Sequence, residues 1–397
     1  MRIAFVTMQY PPRTIGGIGT YVQVVARVLV DAGHEVTVVC IDGADAASTA
    51  VEDGVTVLRA PSMGPDRLRR WMRAPGKALR TRVHGAVSAA LVMRRLRREF
   101  DVVECPEWKA QGLLVGPATA LPVVVHAHLA LDLQHAWNEV EGTRGARIAG
   151  RAEQASARRA AAITATSRQT TRYPDGERWI PDDAVDLVAP PMDAGLWADC
   201  APVAESDPVV VFVGRLERRK APEVLVEALA TLQPAVPGLR VVFAGASTQF
   251  AGGSYAERVV DRAAELGLPC ELLGSVADPE RMREVYGAAR VVAVPSRFET
   301  LSMVVFEALA SGRPAVMTDQ VGAAEWIGPG LPDLVVPADD VAALAAALRP
   351  HLVDADHAAR VGALGRSLVA EVCAPETVAS SRTAVYERVI GQTAAGR

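Results

Sequence analysis

Residues 294–316 read VPSRFETLSMVVFEALASGRPAV, and the order of elements in this stretch decides how the chain folds. The ARVVAVPS segment that runs into it is an apolar strand, Ser296-Arg297-Phe298 turns the chain, and the spacing predicts a helix from near Thr300. Val304, Val305, Ala308 and Leu309 supply an apolar helix face, Gly312 ends the helix and RPAV opens the next strand. At about 3.6 residues per turn, Glu299 and Glu307, eight positions apart, are expected along one face of that helix. Glu299 is expected at its start, beside free backbone N–H groups and a partly positive helix end. A strand, a polar turn and a helix start carrying a carboxylate make a ligand site at the carboxyl edge of a parallel sheet. Taken alone, Glu299 would serve equally as a helix cap and Glu307 as a solvated carboxylate.

The same strand-helix unit repeats on both sides of this stretch. Upstream, PVVVFVGRLERRKAPEVLVEALATL is a strand, a loop with Arg215, Arg218, Arg219 and Lys220, and a helix from Pro222; LRVVFAGAS and CELLGSV are further strands. Before these, LVAPPMDAGLWADCAPVAESDP, from about residue 187 to 208, mixes prolines, small residues and acids with little period and reads as an interdomain connection. Earlier still come strands at 2–7, HEVTVVC, VEDGVTVLRAP, FDVVECPEW, LPVVVHAHLALDLQ and AAITATSRQT, with a helix expected from about Thr20 to Ala32. Alternating strands and helices imply parallel sheets. The expected fold is α/β, two Rossmann-like domains facing across a cleft: residues 1–190, then 191–375, with a terminal helix over 376–397 packing back on the first. A chain of 397 residues is too long for one ordinary core, which agrees with two.

Composition closes other classes. Net charge is −4, so bulk electrostatics make no case for nucleic acid. No run of eighteen apolar residues occurs, and MRIAFVTMQYPP lacks the layout of a signal peptide. Cys40, Cys105, Cys200, Cys270 and Cys373 are scattered without a CxxC pair, so reduced thiols, a cytoplasmic setting and no metal site are expected. Arg67, Arg69, Arg70, Arg73, Lys77, Arg80 and Arg82, then Arg94, Arg95, Arg97 and Arg98, form a locally basic region. It reads as a solvated helix face, or as a contact for an anionic membrane or acceptor.

Three features point to chemistry. The glycines at 16, 17 and 19 fit neither a dinucleotide fingerprint nor a P-loop, yet Gly16 and Gly17 could bring backbone N–H groups to an anion. His126 and His128 sit at the end of one strand, on one side by alternation, and suit either a metal pair or a single substrate-binding histidine. In the second half, Arg215 and Lys220 are cations in a strand-to-helix loop, and Lys220 is one of three lysines with Lys77 and Lys109. Cations for a diphosphate, Glu307 for a ribose diol, and Glu299 with the N–H groups of Leu301 and Ser302 for a hexose describe a nucleotide-sugar site.

FVGRLERRKAPEVLVEAL together with the E-x7-E of FETLSMVVFEALASGRPAV resembles the retaining GT-B glycosyltransferases of the GT4 family, over essentially the whole chain. The resemblance implies transfer of a hexose or N-acetylhexosamine from a nucleoside diphosphate sugar, UDP-sugar foremost, with retention and with neither metal nor cofactor. It implies catalytic roles for His128, Arg215, Lys220 and Glu299, and donor contacts from Gly16, Gly17, Val276, Leu301, Ser302 and Glu307. The first domain would bind the acceptor and the second the donor. Glu104, Glu107, Trp108, His126 and Asp132, clustered at strand ends of the first half, are candidates for a small polar acceptor, an aminocyclitol among them. A nucleotide-sugar 2-epimerase or hydrolase, a lipid or polysaccharide acceptor, and a non-catalytic binding protein remain open. The sequence departs from the family pattern at Ser302, where a glycine is usual, at PPMD (190–193) and at VGA (321–323).

Overall fold

A computed structural model describes residues 1–12, 17–42, 46–61, 77–137, 141–198, 200, 203, 207–250 and 253–395. The chain divides into two compact units, Met1–Pro191 with Pro375–Arg397, and Met192–Ala374.

Unit 1 is built on β1 (Arg2–Thr7), β2 (Glu35–Cys40), β3 (Ser48–Glu52), β4 (Val55–Arg59), β5 (Val102–Pro106), β6 (Val123–Ala127), β7 (Ala162–Ala165) and β8 (Val185–Leu187), in the order β3-β4-β2-β1-β5-β6-β7-β8. Central strands such as β5 and β6 are buried along their whole length, as runs of β-branched residues in a parallel sheet require. The stretch VEDGVTVLRAP is not one strand: β3 and β4 pair antiparallel around Asp53 (φ 49°) and Gly54 (φ 78°). An Asp-Gly turn with both residues at positive φ matches the twist of a hairpin. β8 is three residues long, too short to show a period in the sequence. The helix Gly17–Asp31 starts three residues before Thr20 and buries Val22, Val25, Ala26 and Leu29. The terminal helix Pro375–Ala395 places Val385, Tyr386 and Val389 in the same core as Ile3, Phe5 and Val25. Each such buried side chain contributes roughly 1.5–3 kcal/mol.

Unit 2 contains β9 (Val209–Val213), β10 (Arg240–Ala244), the short pair β11 (Gln249–Phe250) and β12 (Gly253–Ser254), then β13 (Cys270–Gly274), β14 (Val291–Val294), β15 (Ala315–Thr318) and β16 (Val335–Val336). Its parallel sheet runs β13-β10-β9-β14-β15-β16. The chain leaves β9 for β10 on one side and returns to β14 on the other. That reversal opens a crevice at the carboxyl ends of β9 and β14.

The loop above β14 departs from expectation. Its helix runs from Met303 to Ala310, so Glu299 precedes it and does not share a helix face with Glu307. Residues 299–301 instead pair with the neighbouring loop: Glu299 N donates to Gln320 O and Gly322 N to Glu299 O, both at 3.0 Å, and Ala323 N donates to Leu301 O at 2.8 Å. Ser302, the residue before the helix, has φ 72°, which no sequence period signals. Of the basic region, Arg67, Arg69, Arg70 and Arg73 lie outside the described residues. Arg82, within the helix Lys77–Leu96, is buried and ion-paired with Glu153 at 2.7 Å rather than on a solvated face.

Candidate functional site

In unit 2, the loops after β9 and β14 meet through charge. Lys220 donates to Glu299 Oε1, Ser296 Oγ donates to the same oxygen at 3.2 Å, and Arg219 Nη1 reaches Glu299 Oε2 at 3.3 Å. Arg219 also donates to Phe298 O at 2.7 Å and to Glu217 Oε1 at 2.6 Å. Arg215 touches Glu217 at 3.3 Å, with its side chain 54% exposed. Burial pushes the Glu299 carboxyl up, but Lys220 and Arg219 outweigh it and hold the group below the usual carboxylate range. Three cations therefore stand over two carboxylates, and the surplus charge is at Arg215, the exposed one. Gly214, at φ 141°, holds a backbone conformation that side-chain-bearing residues rarely adopt, and its Cα packs beside the Lys220 side chain.

Other donor candidates surround this cluster. The N–H groups of Leu301 and Ser302 have no acceptor among the described residues. Glu307 Oε2 accepts from the Tyr286 hydroxyl at 2.7 Å. Burial raises the pKa of Glu307 and the Tyr286 bond opposes that rise. Val276 follows β13 and packs, half-buried, on the edge of the unit 2 core. In unit 1, Gly17 opens its helix exposed, and a Cβ there would meet nothing within 4 Å. Gly19 is the glycine that packing needs, its absent Cβ facing Gln9 O at 3.1 Å. Gly16 lies outside the described residues.

The first-half candidates separate into core and pocket. Glu104 is buried and accepts from the Tyr386 hydroxyl at 2.6 Å and the Tyr21 hydroxyl at 3.4 Å. Both its oxygens are used inside the protein, so the expected acceptor role gives way to an anchor for the terminal helix. Glu107 is also buried, and accepts His128 N at 2.9 Å and Leu129 N at 2.5 Å. Burial pushes its carboxyl up to about 8 against those two bonds; it shapes the turn after β6 instead of lining a pocket. His126 is buried, bonded through Nδ1 to Thr164 Oγ1 at 2.9 Å, and stacked on Tyr21 at 4.4 Å. That places it too in the core. Trp108 is half-buried under the Lys109 ammonium, 3.9 Å from its ring centre. Asp132 reaches a pocket wall, bonded to Gln154 and Tyr173.

His128, half-buried just past β6, is edge-on to Tyr21 at 4.9 Å and packs against His126 at 4.7 Å. Burial and the Arg382 charge lower its pKa to about 4, so the ring is neutral at physiological pH and can accept one hydrogen bond. Arg219, Glu217, Tyr286, Tyr21 and Arg382 were not singled out as site residues by sequence reasoning. Arg219 and Glu217 sit inside the quoted RLERRK motif, where alternation cannot tell which arginine turns inward. The other three come from distant segments and gave no local signal.

Family models match both halves: residues 16–191 match a glycosyl transferase 4-like domain, and residues 200–367 match the glycosyl transferases group 1. The chain is 27% identical to a glycogen synthase of Mycobacterium tuberculosis, covering 97% of this chain and 94% of that one. It is 32% identical to a D-inositol 3-phosphate glycosyltransferase of Nocardia farcinica over 68% of this chain and 62% of the other. Among solved structures, sucrose-phosphate synthase from Thermosynechococcus elongatus superposes with a TM-score of 0.71 at 21% identity, covering 98% of this chain and 99% of that one. Anabaena HepE in complex with UDP and glucose gives a TM-score of 0.68 at 18% identity, covering 98% and 100%.

Proposed function

Because the chain belongs to the group 1 glycosyltransferases of the GT4 family and shares their GT-B fold, we propose that it is a retaining, metal-independent enzyme that moves a hexose or N-acetylhexosamine from a UDP-sugar to a hydroxyl of a small polar acceptor. Glycosyl transfer from a nucleotide sugar is the activity of the family; the donor, the acceptor and the stereochemistry are this proposal. The observation that carries it is the cluster of Arg215, Arg219 and Lys220 at the reversal between β9 and β14, whose surplus positive charge lies at Arg215 while Lys220 is paired with Glu299. When the anomeric C–O bond to diphosphate breaks, its electron pair stays on the phosphate oxygen. Arg215, and Lys220 once it is shared with Glu299, would stabilise that charge, an effect worth several kcal/mol in a sheltered site.

Around the diphosphate, Glu299 and the N–H groups of Leu301 and Ser302 would hold the donor hexose. Glu307 has Oε1 left for a ribose hydroxyl, Val276 would pack on the base, and Gly16 and Gly17 would offer N–H groups to phosphate. His128 would accept a hydrogen bond from the transferred sugar. The HepE complex with UDP supports a uridine donor, and relatives named for glycogen and for D-inositol 3-phosphate support a hydroxyl-bearing acceptor. Five free cysteines support a cytoplasmic setting.

The test is a screen of nucleotide sugars by UDP release, followed by NMR of the product's anomeric proton, with EDTA present. The expected product keeps the donor's anomeric configuration and its yield is unaffected by EDTA. An inverted product or loss of turnover on chelation refutes those two parts. Conversion of the donor alone to an epimer or free sugar would favour the epimerase or hydrolase reading.

A further inference from the structure

Beside the strand end that carries His128, unit 1 opens a pocket of about 390 Å³ whose wall includes Asp132, His135, Arg147, Arg151, Gln154 and Tyr173. Its lining comes from the segments that follow β6 and β7 in the chain, the kind of segment from which α/β sheets build ligand sites. Its floor is prearranged: Asp132 Oδ2 accepts from Gln154 Nε2 at 2.5 Å and from the Tyr173 hydroxyl at 2.6 Å, and those two lie 2.7 Å apart. One wall is the helix Arg144–Arg158, whose Arg144, Arg147 and Arg151 fall at i, i+3 and i+7 and so lie on one face. The same face bounds a second hollow of about 300 Å³ adjoining the first through Arg147 and Arg151.

None of these three arginines has an ion-pair or hydrogen-bond partner among the described residues, and all three are exposed. Several arginines elsewhere are ion-paired, as Arg59 with Asp42 at 2.6 Å, Arg178 with Asp182 at 2.8 Å and Arg262 with Glu227 at 2.6 Å, whereas these three line a pocket and are not. Like charges one turn apart repel, and the pocket's own carboxylate is already taken by Tyr173 and Gln154. A planar guanidinium is the donor suited to a phosphate. Gly142 closes the near side, where a Cβ would come within 3.2 Å of His135 Nδ1 and 3.7 Å of Arg147 Cγ.

We infer that this pocket binds the acceptor, and that the acceptor is a hydroxyl-rich small molecule carrying a phosphate: the anion sits on Arg147 and Arg151, and hydroxyls meet Asp132, Gln154 and Tyr173. This rests on the glycosyltransferase reading above and narrows its acceptor class. It also replaces the amine-bearing acceptor expected from the sequence, because arginines rather than free carboxylates face the ligand.

The full chain is titrated calorimetrically with UDP, then with glucose and glucose 6-phosphate in its presence. A parallel arm uses phosphatidylcholine vesicles with and without phosphatidylinositol. The expected result is that the phosphorylated sugar or the phosphatidylinositol vesicles bind at least tenfold more tightly than the matched neutral probe. The first result assigns the phosphate to a free metabolite and the second to a lipid headgroup. Arg147→Gln with Arg151→Gln should abolish that preference and leave UDP affinity unchanged, and Tyr173→Phe should weaken phosphorylated and neutral sugar alike. Equal binding of charged and neutral probes, or a preference that survives both arginine changes, overturns the inference. Failure of UDP to bind would instead count against the donor reading, so the two failures are separable.

Discussion

Lys220 and Glu299 neutralise each other, so a diphosphate at this site must share or take over the lysine. Replacing Lys220 with Ala removes a fixed cation and leaves Glu299 to Arg219 and the Ser296 hydroxyl; kcat should fall about 100-fold or more with the fold intact. A steady-state assay showing unchanged kcat would remove Lys220 from the reaction. Arg219 acts differently, since its guanidinium is buried among Glu217, Glu299 and Phe298 O. Arg219→Met should cost about 3 kcal/mol of stability, because it strands Glu217 without its closest cation, and urea denaturation measures this. Ser302 carries a left-handed φ of 72° and a buried hydroxyl with no hydrogen-bond partner. Ser302→Gly relieves both, against a smaller entropic loss, and should raise stability by about 1 kcal/mol. Calorimetry showing a lower Tm for Ser302→Gly would contradict that balance. The glycine usual there in the GT4 pattern thus has a backbone reason, visible only once the φ angle is known.

At the level of elements, the terminal helix is fastened to the sheet by a buried polar network. Tyr386 and Tyr21 donate to Glu104, and Arg382 donates to the Tyr21 hydroxyl at 3.1 Å and to Ala189 O at 2.9 Å. The same Tyr21 ring lies against His126 and His128, so the last helix, the first helix and the β6 end are one packed group. His128 is held neutral by burial and by Arg382. Its folded pKa of about 4 lies below the unfolded value of about 6.5, so its contribution to stability is intact above pH 6.5 and is lost as pH falls toward 4. NMR titration of His128 should give a midpoint near 4; a midpoint near 6.5 would mean the ring is solvated. The amphipathic period of the Pro375–Ala395 helix, with Val378, Val385 and Tyr386 inward, was readable from the chain. Its partner Glu104 was not, because a carboxylate at a strand end reads the same whether it faces a substrate or a tyrosine nearly three hundred residues away.

Across the whole molecule, unit 2 draws its core from a continuous segment, Met192–Ala374, whereas unit 1 needs both chain ends. A 192–374 fragment should therefore fold and bind UDP alone, while 1–191 should not fold without 375–397, whose loss would take from Glu104 its short Tyr386 bond and the nearby Arg382 charge and leave it only the long Tyr21 contact. Circular dichroism and UDP calorimetry on the two fragments check this, and a well-folded 1–191 would sink it. The sequence by itself determined the α/β class, the parallel strands of both units, the two-part division, the family and the charged loop holding Arg215 and Lys220. Those features repeat locally, as strand and helix periods or as residues within one loop. Only the tertiary structure decided that Glu299 stands in a loop rather than on a helix, that Arg219 is the buried arginine, and that Glu104, Glu107 and His126 belong to the core while Asp132 faces a pocket. Burial and partner choice are set by which distant segments pack against a residue, and no local pattern carries that information.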